Sequence, residues 1–494
     1  MLKSRELDNF LQKLRTSLNS LKSLYQENIR FNNIKECNKQ MIDVLIQNAT
    51  IVTVNKGEIL KNSSIAIKGD RIIDIGDSKE LSLKYPEVKK LIDASEKVVF
   101  PGFVNTHNHL FQTLFKGLGD DMVIADWLKK VAYPLSTNLT EELAYKGAML
   151  GLMESLHSGI TTSLDYMYAH PVKNLSDAVI KAMNDLKVRG IYARGFLNSG
   201  ESHGAQKALF ETPEEVEKDF RSLVEKYEKT SNGRIKIWLA PSNPWANTKE
   251  MLLKTWELAK EYNTGYTIHI SETEAPRRFT KEIHGYDDTE LLEVLGIVGP
   301  NVLCVHCVAI NDKDIAMFKK YDMKISHNPV CNMYLASGVA PVPQMINEGI
   351  TVSIGLDGAA SNNSQDMIES MKTTALLHKV SSRDPKVLTA QKVLEMATID
   401  GAKALGMDKE IGSIEIGKKA DLVIFNPNLA SKSTPMHNPV STLVYSSSER
   451  NVETVLVDGN IVLENGEIVG IDERAFCKDA QAISLELAKR VYPK

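Results

Sequence analysis

The chain has 494 residues, 43% hydrophobic and 25% charged, and its 59 Lys+Arg against 63 Asp+Glu leave a formal charge of −4. Those are the proportions of an ordinary soluble globular protein, long enough for a parallel α/β barrel of about 250 residues and more besides. The near-neutral balance offers no excess of cations to displace counterions from a polyphosphate, which argues against nucleic acid and for a small ligand, and no apolar run approaches the roughly 20 residues that span a bilayer.

Residues 5 to 30 set Leu7, Phe10, Leu11, Leu14, Leu18, Leu21 and Tyr25 at steps of three and four, the stripe of an amphipathic helix. The same stretch lacks the basic head, apolar middle and small-residue cleavage site of a signal peptide, and Glu6, Asp8 and Glu27 argue against a mitochondrial transit peptide. A cytoplasmic protein is therefore expected, with this helix docked on its own or a neighbouring subunit. The five cysteines, Cys37, Cys304, Cys307, Cys331 and Cys477, are too few and too scattered for a disulfide framework. Residues 31 to 40, rich in Asn and charge, read as a linker.

From Met41 the texture changes to short β-branched runs between turn residues: Ile42 to Ile46, Ile51 to Val54, Ser64 to Lys68, Arg71 to Ile75 and Lys97 to Phe100. Antiparallel strands are expected there. The texture returns in Ala420 to Phe425, Val452 to Val457 and Asn460 to Glu464, with Asp458-Gly459 as a hairpin turn. Between them, eight strand-like runs alternate with helical stretches: Phe103 to His107, Ile160 to Asp165, Ile191 to Phe196, Ile235 to Ala240, Gly265 to Ile270, Val302 to Cys307, Lys324 to His327 and Val352 to Asp357. Such alternation predicts a closed α/β barrel of the (β/α)8 type beside a β domain assembled from both ends of the chain. The expected units are an N-terminal helical extension (1–40), the first part of a β-sandwich domain (41–100), the barrel (101–406), the second part of the β domain (407–470) and a C-terminal helix (471–494).

The chemistry is expected where barrel strands end. In Pro101-Gly-Phe-Val-Asn-Thr-His107-Asn-His109, residues two apart on an extended backbone face the same way, so both imidazoles project together from the first strand. His269, His306 and Asp357 end three later strands. Three histidines and the aspartate make a site for one divalent ion with a position left open for water; imidazole donors point to Zn2+, with Fe2+ as the alternative. Glu272, three positions beyond His269, belongs to the loop that can curl back over such a site, where a proton carrier is needed. Lys236 sits at the start of the fourth strand, far from the mouth, so it is not expected to bridge a second ion. Cys304 and Cys307 have CxxC spacing, but strand alternation is expected to put them on opposite faces as packing residues. His157, His170, His284, His378 and His437 are expected to be structural.

These residues, in this order, resemble the amidohydrolase superfamily, and most closely its cytosine-deaminase-like branch of mononuclear aminohydrolases. The resemblance spans about residues 41 to 470. It rests on Pro101 to His109 with Gln112, Asp120-Asp121 with Trp127-Leu128, His269-Ile-Ser-Glu272, Val305-His306-Cys, Ser326-His327-Asn-Pro, and Gly355-Leu-Asp357-Gly-Ala-Ala-Ser-Asn-Asn363. It implies a distorted barrel beside a composite β sandwich, with His107, His109, His269 and Asp357 as metal ligands and Glu272 and His306 as catalytic groups. Asp357 would also accept a hydrogen bond from the attacking water, making it catalytic as well. A homo-oligomer is the habit of that family.

The implied reaction is hydrolytic deamination of an amino-substituted N-heteroaromatic ring of purine, pterin or s-triazine type; the same apparatus can displace chloride or an alkylamine. Candidate substrate contacts are Gln112 and Asn328 for an amide edge, Trp127 for an aromatic surface, His203 in the loop after the third strand, and Arg194 for a carboxylate. Gly358 to Asn363 and Asp165 to Tyr168 resemble methylthioadenosine/S-adenosylhomocysteine deaminases. The Pro-His-Ser-Pro-Tyr type motif of their nucleoside pocket is replaced here by Pro241-Ser-Asn-Pro-Trp245, and His107 to Gln112 with Ala240-Pro241 resembles 8-oxoguanine deaminase and s-triazine hydrolases. The expectation is a free heteroaromatic ring, with the nucleoside, with chlorohydrolase chemistry, and with a catalytically inactive ligand-binding barrel as alternatives.

Overall fold

A computed structural model describes residues 41–493. The expected N-terminal helix and linker lie outside the described residues. The chain opens with β1 (Ile42–Val52), β2 (Ile59–Lys68) and β3 (Arg71–Asp77), a meander in which β1 pairs antiparallel with β2 and β2 with β3. The two runs expected at Ile42 to Ile46 and Ile51 to Val54 are one strand with irregular register, kinked where Asn48 takes a φ of 62°. A short helix, Ser78–Lys84, then carries the chain over to β4 (Val88–Asp93) and β5 (Val98–Pro101). That crossover makes both run parallel to β1, through Ile42↔Val88 and Thr50↔Val98, so the sheet is mixed rather than wholly antiparallel. Strand β4 carries Lys89, Lys90 and Leu91 exposed in succession and has no hydrophobic alternation to announce it.

The eight expected middle strands all form: β6 (Phe103–Asn108), β7 (Ile160–Met167), β8 (Arg189–Phe196), β9 (Ile235–Pro241), β10 (Tyr266–Ile270), β11 (Val302–His306), β12 (Lys324–His327) and β13 (Val352–Ile354). They lie in one parallel sheet in chain order, with helices between them. The sheet curls round until the carbonyl of His107 accepts from the backbone N–H groups of Leu356 (3.1 Å) and Asp357 (2.9 Å), joining the last strand's end to the first. Inside, the Thr106 hydroxyl bonds the hydroxyls of Ser326 (2.8 Å) and Ser353 (2.9 Å), a polar layer satisfied within itself.

After the barrel come β14 (Leu422–Phe425), β15 (Val452–Val457), β16 (Asn460–Glu464) and β17 (Glu467–Ile468). Strand β14 pairs antiparallel with β5, Val423 opposite Phe100, so both ends of the chain share one nine-stranded sheet. Ile46, Ile65, Val99, Ile424 and Leu456 meet in its own apolar cluster. Barrel and sheet are tied by Arg189, the first residue of β8, whose buried guanidinium meets Asp421 (2.8 and 3.0 Å) and Asp458. The final helix, Glu473–Val491, packs back on the barrel, with Glu473 at 2.8 Å from His157 Nε2 and Ser484 Oγ donating to the Leu114 carbonyl at 2.6 Å. No helix among the described residues is long and apolar enough to cross a membrane.

Candidate active site

His107 and His109 stand at the C-terminal end of β6 with ring centroids 4.7 Å apart, and His269 on β10 lies 4.9 Å from the first and 5.4 Å from the second. Asp357 follows β13 and sends Oδ1 to 3.3 Å from Nε2 of both His107 and His109. This convergence needs close backbone approach after β13. A Cβ on Gly358 would stand 1.9 Å from Gln112 Oε1 and 3.1 Å from the His109 Cβ, so any larger residue beside the aspartate would have to displace Gln112.

Two of the imidazoles are oriented by backbone carbonyls. His109 Nδ1 lies 2.6 Å from the Tyr166 carbonyl and His269 Nδ1 lies 2.5 Å from that of Ser242, which leaves each Nε2 turned toward the centre. His107, fully buried, has no hydrogen-bond partner on either ring nitrogen. Burial pushes the pKa of all three imidazoles down, that of His109 to about 3, so they are neutral at pH 7 with lone pairs available. Neutral, buried, convergent imidazoles beside a carboxylate, one of them unpartnered, fit a divalent ion as the missing neighbour. Lys236 lies near the N-terminal end of β9, the end opposite the site.

Glu272, His306 and Asp357 reach this centre by leaving regular strand geometry. Ser271 takes a φ of 45°, His306 71° and Asp357 65°, left-handed values that cost non-glycine residues energy and gather where the surroundings enforce them. At Ser271 the enforcement comes from Asp288, which accepts from its N–H (2.8 Å) and its hydroxyl (2.9 Å). The turn brings Glu272 back over the site, where its Oε2 is 3.7 Å from His306 Nε2. Burial raises the Glu272 pKa.

Two residues that sequence reasoning missed hold these groups in place. Asn332 Oδ1 lies 2.9 Å from His306 Nδ1, and Ser337 Oγ donates to Glu272 Oε1 at 3.0 Å. Asn332 belongs to the short helix Pro329–Tyr334 after β12, and Ser337 to the turn behind it. Nothing in their local sequence signals these roles; only the Ser326-His327-Asn-Pro motif beside them marks the region.

The pocket above the centre is bounded by Ile124, Trp127, Leu128 and Tyr133 from the segment after β6, by Ser242, Asn243 and Trp245 after β9, and by Pro276 and Leu335. Gln112 and Trp127 stand on its wall. Trp127 Nε1 donates to the Ala360 carbonyl at 2.9 Å; Gln112 Nε2 donates to the Tyr168 hydroxyl at 3.1 Å, while its Oε1 is buried without a partner.

The other three expected substrate contacts are corrected. Arg194 is buried on β8 with its guanidinium committed to Glu211 (2.9 Å) and Asp219 (2.6 Å), because a buried cation must be paired where it sits. Asn328 is turned behind His306, its Nδ2 3.3 Å from His306 Nδ1, and is absent from the pocket wall. His203 stacks on Phe279 with centroids 4.0 Å apart and meets Trp245 edge-on at 6.2 Å, so it props a wall residue from outside. The separation of Cys304 from Cys307 is corrected too: the left-handed turn at His306 and Cys307 breaks strand alternation and brings the two free thiols together, and burial, reinforced by the Cys304 thiol, raises the Cys307 pKa. His378 is buried against His327, with Nε2 atoms 3.1 Å apart.

A family model described as the amidohydrolase family matches residues 98–462. The chain is 39% identical over 445 residues to a 5'-deoxyadenosine deaminase of Methanobrevibacter smithii, covering 90% of this chain and 98% of that one. It is 35% identical over 434 residues to a 5-methylthioadenosine/S-adenosylhomocysteine deaminase of Thermoanaerobacter pseudethanolicus, covering 87% and 96%. Among solved structures, an adenosine deaminase from Xanthomonas campestris with bound zinc superposes with a TM-score of 0.84 at 24% identity, over 92% of this chain and 99% of that one. An atrazine chlorohydrolase from Arthrobacter aurescens complexed with zinc gives 0.83 at 24% identity, over 89% and 100%. At that identity the two structures speak to the fold alone.

Proposed function

This chain belongs to the amidohydrolase family, and we propose from that premise that it is a metal-dependent deaminase of an adenine ring carried on a 5'-deoxygenated ribose. His107, His109, His269 and Asp357 would hold one divalent ion, with zinc the choice of so imidazole-rich a set. Bound there, the ion supplies activation of a water molecule at neutral pH. Glu272, acting as the carboxylate, would take a proton from water and pass it to the ring nitrogen next to the amine-bearing carbon, which makes that carbon electrophilic. His306, fixed through Nδ1 by Asn332, turns Nε2 toward the oxygen that develops charge as water adds. Asp357 Oδ2, 4.0 Å from the same nitrogen, accepts a hydrogen bond from the attacking water. The balance is one water consumed, one C–N bond broken, one ammonia released and one ring carbonyl formed.

The single observation that carries this reading is the opening of Glu272, His306, His109, His269 and Asp357 onto one pocket walled by Trp127, with His107 buried behind them. The relatives named for 5'-deoxyadenosine and 5-methylthioadenosine favour a nucleoside over the free ring expected from the missing histidine at Ser242. The wall chemistry narrows the choice. Among the described residues it carries Ile124, Leu128, Pro276 and Leu335 and no lysine or arginine, and Arg194 is committed elsewhere. Such a wall suits an apolar 5' substituent and leaves the carboxylate of an amino-acid tail unpaired, which disfavours S-adenosylhomocysteine. A free 8-oxopurine or triazine is the second reading, favoured by the unpartnered Gln112 Oε1 as a reader of a ring N–H. A cytoplasmic homo-oligomer completes the proposal; buried free thiols at Cys304, Cys307 and Cys331 suit a reducing compartment, and analytical ultracentrifugation tests the assembly.

The test is ammonia release by zinc-loaded and chelated protein from 5'-deoxyadenosine, 5'-methylthioadenosine, S-adenosylhomocysteine, 8-oxoguanine and an aminotriazine. The expected result is chelator-sensitive release from the first two and little from the third. Release from the free rings alone would replace the nucleoside with the second reading, and release from none would remove deamination.

A further inference from the structure

A second set of metal-binding atoms shares the cleft with the first. A carboxylate oxygen of Glu272, a ring nitrogen of His306 and the Cys331 sulfur lie within 4.8 Å of one another, and all three residues are buried. Cys331 sits in the helix Pro329–Tyr334, one residue before Asn332, whose side chain holds His306 Nδ1 and so presents Nε2 to Glu272. None of the functions assigned so far uses its thiol.

We propose that Glu272, His306 and Cys331 form a second, inhibitory site for a soft divalent ion such as zinc or cadmium. One thiolate, one imidazole and one carboxylate are a zinc donor set with a coordination position to spare for water. The sulfur selects zinc and cadmium over magnesium, calcium and manganese, which prefer oxygen ligands. Binding there displaces the thiol proton to solvent and forms bonds to sulfur, nitrogen and oxygen with no redox change. It also occupies the lone pairs of the carboxylate that carries the proton and of the imidazole that faces the developing charge. The protein therefore works with one ion and stops with two. The inhibition, though not the binding, rests on the deaminase reading above.

The experiment uses the full chain loaded with one equivalent of zinc and titrated with further cadmium, in parallel with C331S. Ultraviolet absorption by a cadmium–thiolate bond is read without substrate, and deamination of the best substrate is read beside it. In the wild type a thiolate band should grow with the second equivalent while activity falls toward zero, and magnesium should do neither. C331S should keep the one-ion activity and lose the band. Its inhibition midpoint should rise by more than about tenfold, since even the outer partners of metal ligands are worth 10- to 100-fold in affinity. Equal inhibition of C331S, or no band at the second equivalent, overturns the proposal. A protein that shows the Cys331-dependent band but deaminates nothing keeps the site and loses the deaminase reading. An active protein indifferent to a second equivalent loses the site alone.

Discussion

Ser337→Ala tests whether the turn behind the Pro329–Tyr334 helix sets the chemistry of Glu272. The carboxylate is 8% exposed, and the Ser337 hydroxyl is its side-chain donor at 3.0 Å. The serine is held in turn by its own N–H, bonded to the Asn332 carbonyl at 2.8 Å. A hydrogen bond from a hydroxyl to a buried charged acceptor is worth about 1.5–3 kcal/mol, and if that is lost from the transition state kcat falls roughly 10- to 150-fold. KM should hardly move, because Ser337 is off the pocket wall. Burial already raises the Glu272 pKa, and the serine's hydrogen bond opposes that rise. Glu272 works as the carboxylate, so activity is present above its pKa and lost as pH falls through it; removing the donor raises the pKa and shifts the acid limb of kcat/KM to higher pH. Steady-state kinetics across pH on wild type, S337A and S337T measure both effects, with the retained hydroxyl of S337T restoring most of kcat. A kcat within a factor of about two of wild type and an unmoved acid limb in S337A would refute the reasoning, since such a bond should cost about tenfold or more.

Trp127→Ala should raise KM by about 2- to 10-fold with little change in kcat, the scale of one aromatic contact, and W127F should recover most of it; a fall in kcat instead would put Trp127 in the chemistry. Arg189→Met should lower stability to urea by about 3–5 kcal/mol, because it leaves Asp421 buried without its cation and Asp458 with only Lys419 at 3.6 Å, while zinc content stays at one ion; adding D421N and D458N should return most of the loss. Asp165 is fully buried, accepts from the Leu110 N–H at 2.7 Å through Oδ1, and is pushed up to about 7 by burial. Its folded pKa exceeds its unfolded one, so its contribution is favourable in acid and is lost as pH rises from about 4 through 7. D165N keeps the acceptor oxygen and cannot ionise, so its urea midpoint should gain on wild type between about pH 5 and pH 8; a difference independent of pH would exclude this account.

Much of the architecture is legible along the chain because its cause is local. A period-two strand ending in a turn puts its last side chains at a barrel mouth, and His107, His109, His269 and Asp357 stand at three such ends. Gly358 and the loop character of Glu272 are local too. Strand β4 escaped because its exposed run carries no alternation, and the parallel pairing of β4 and β5 with β1 depends on a crossover that periodicity does not report.

What a residue does once folded depends on neighbours far off in sequence, and there the chain alone was mute. Arg194 reads as a free cation until Glu211 and Asp219 neutralise it, and Asn328 reads as a pocket amide until the curl of the barrel turns it behind His306. Asp288, Asn332 and Ser337 acquire their roles through the left-handed turns at Ser271 and His306, whose cost is met by contacts made only in the closed barrel. Spacing along strands decided which side chains meet at the mouth; burial, with its demand that every charge and polar atom find a partner, decided which of the rest face the substrate.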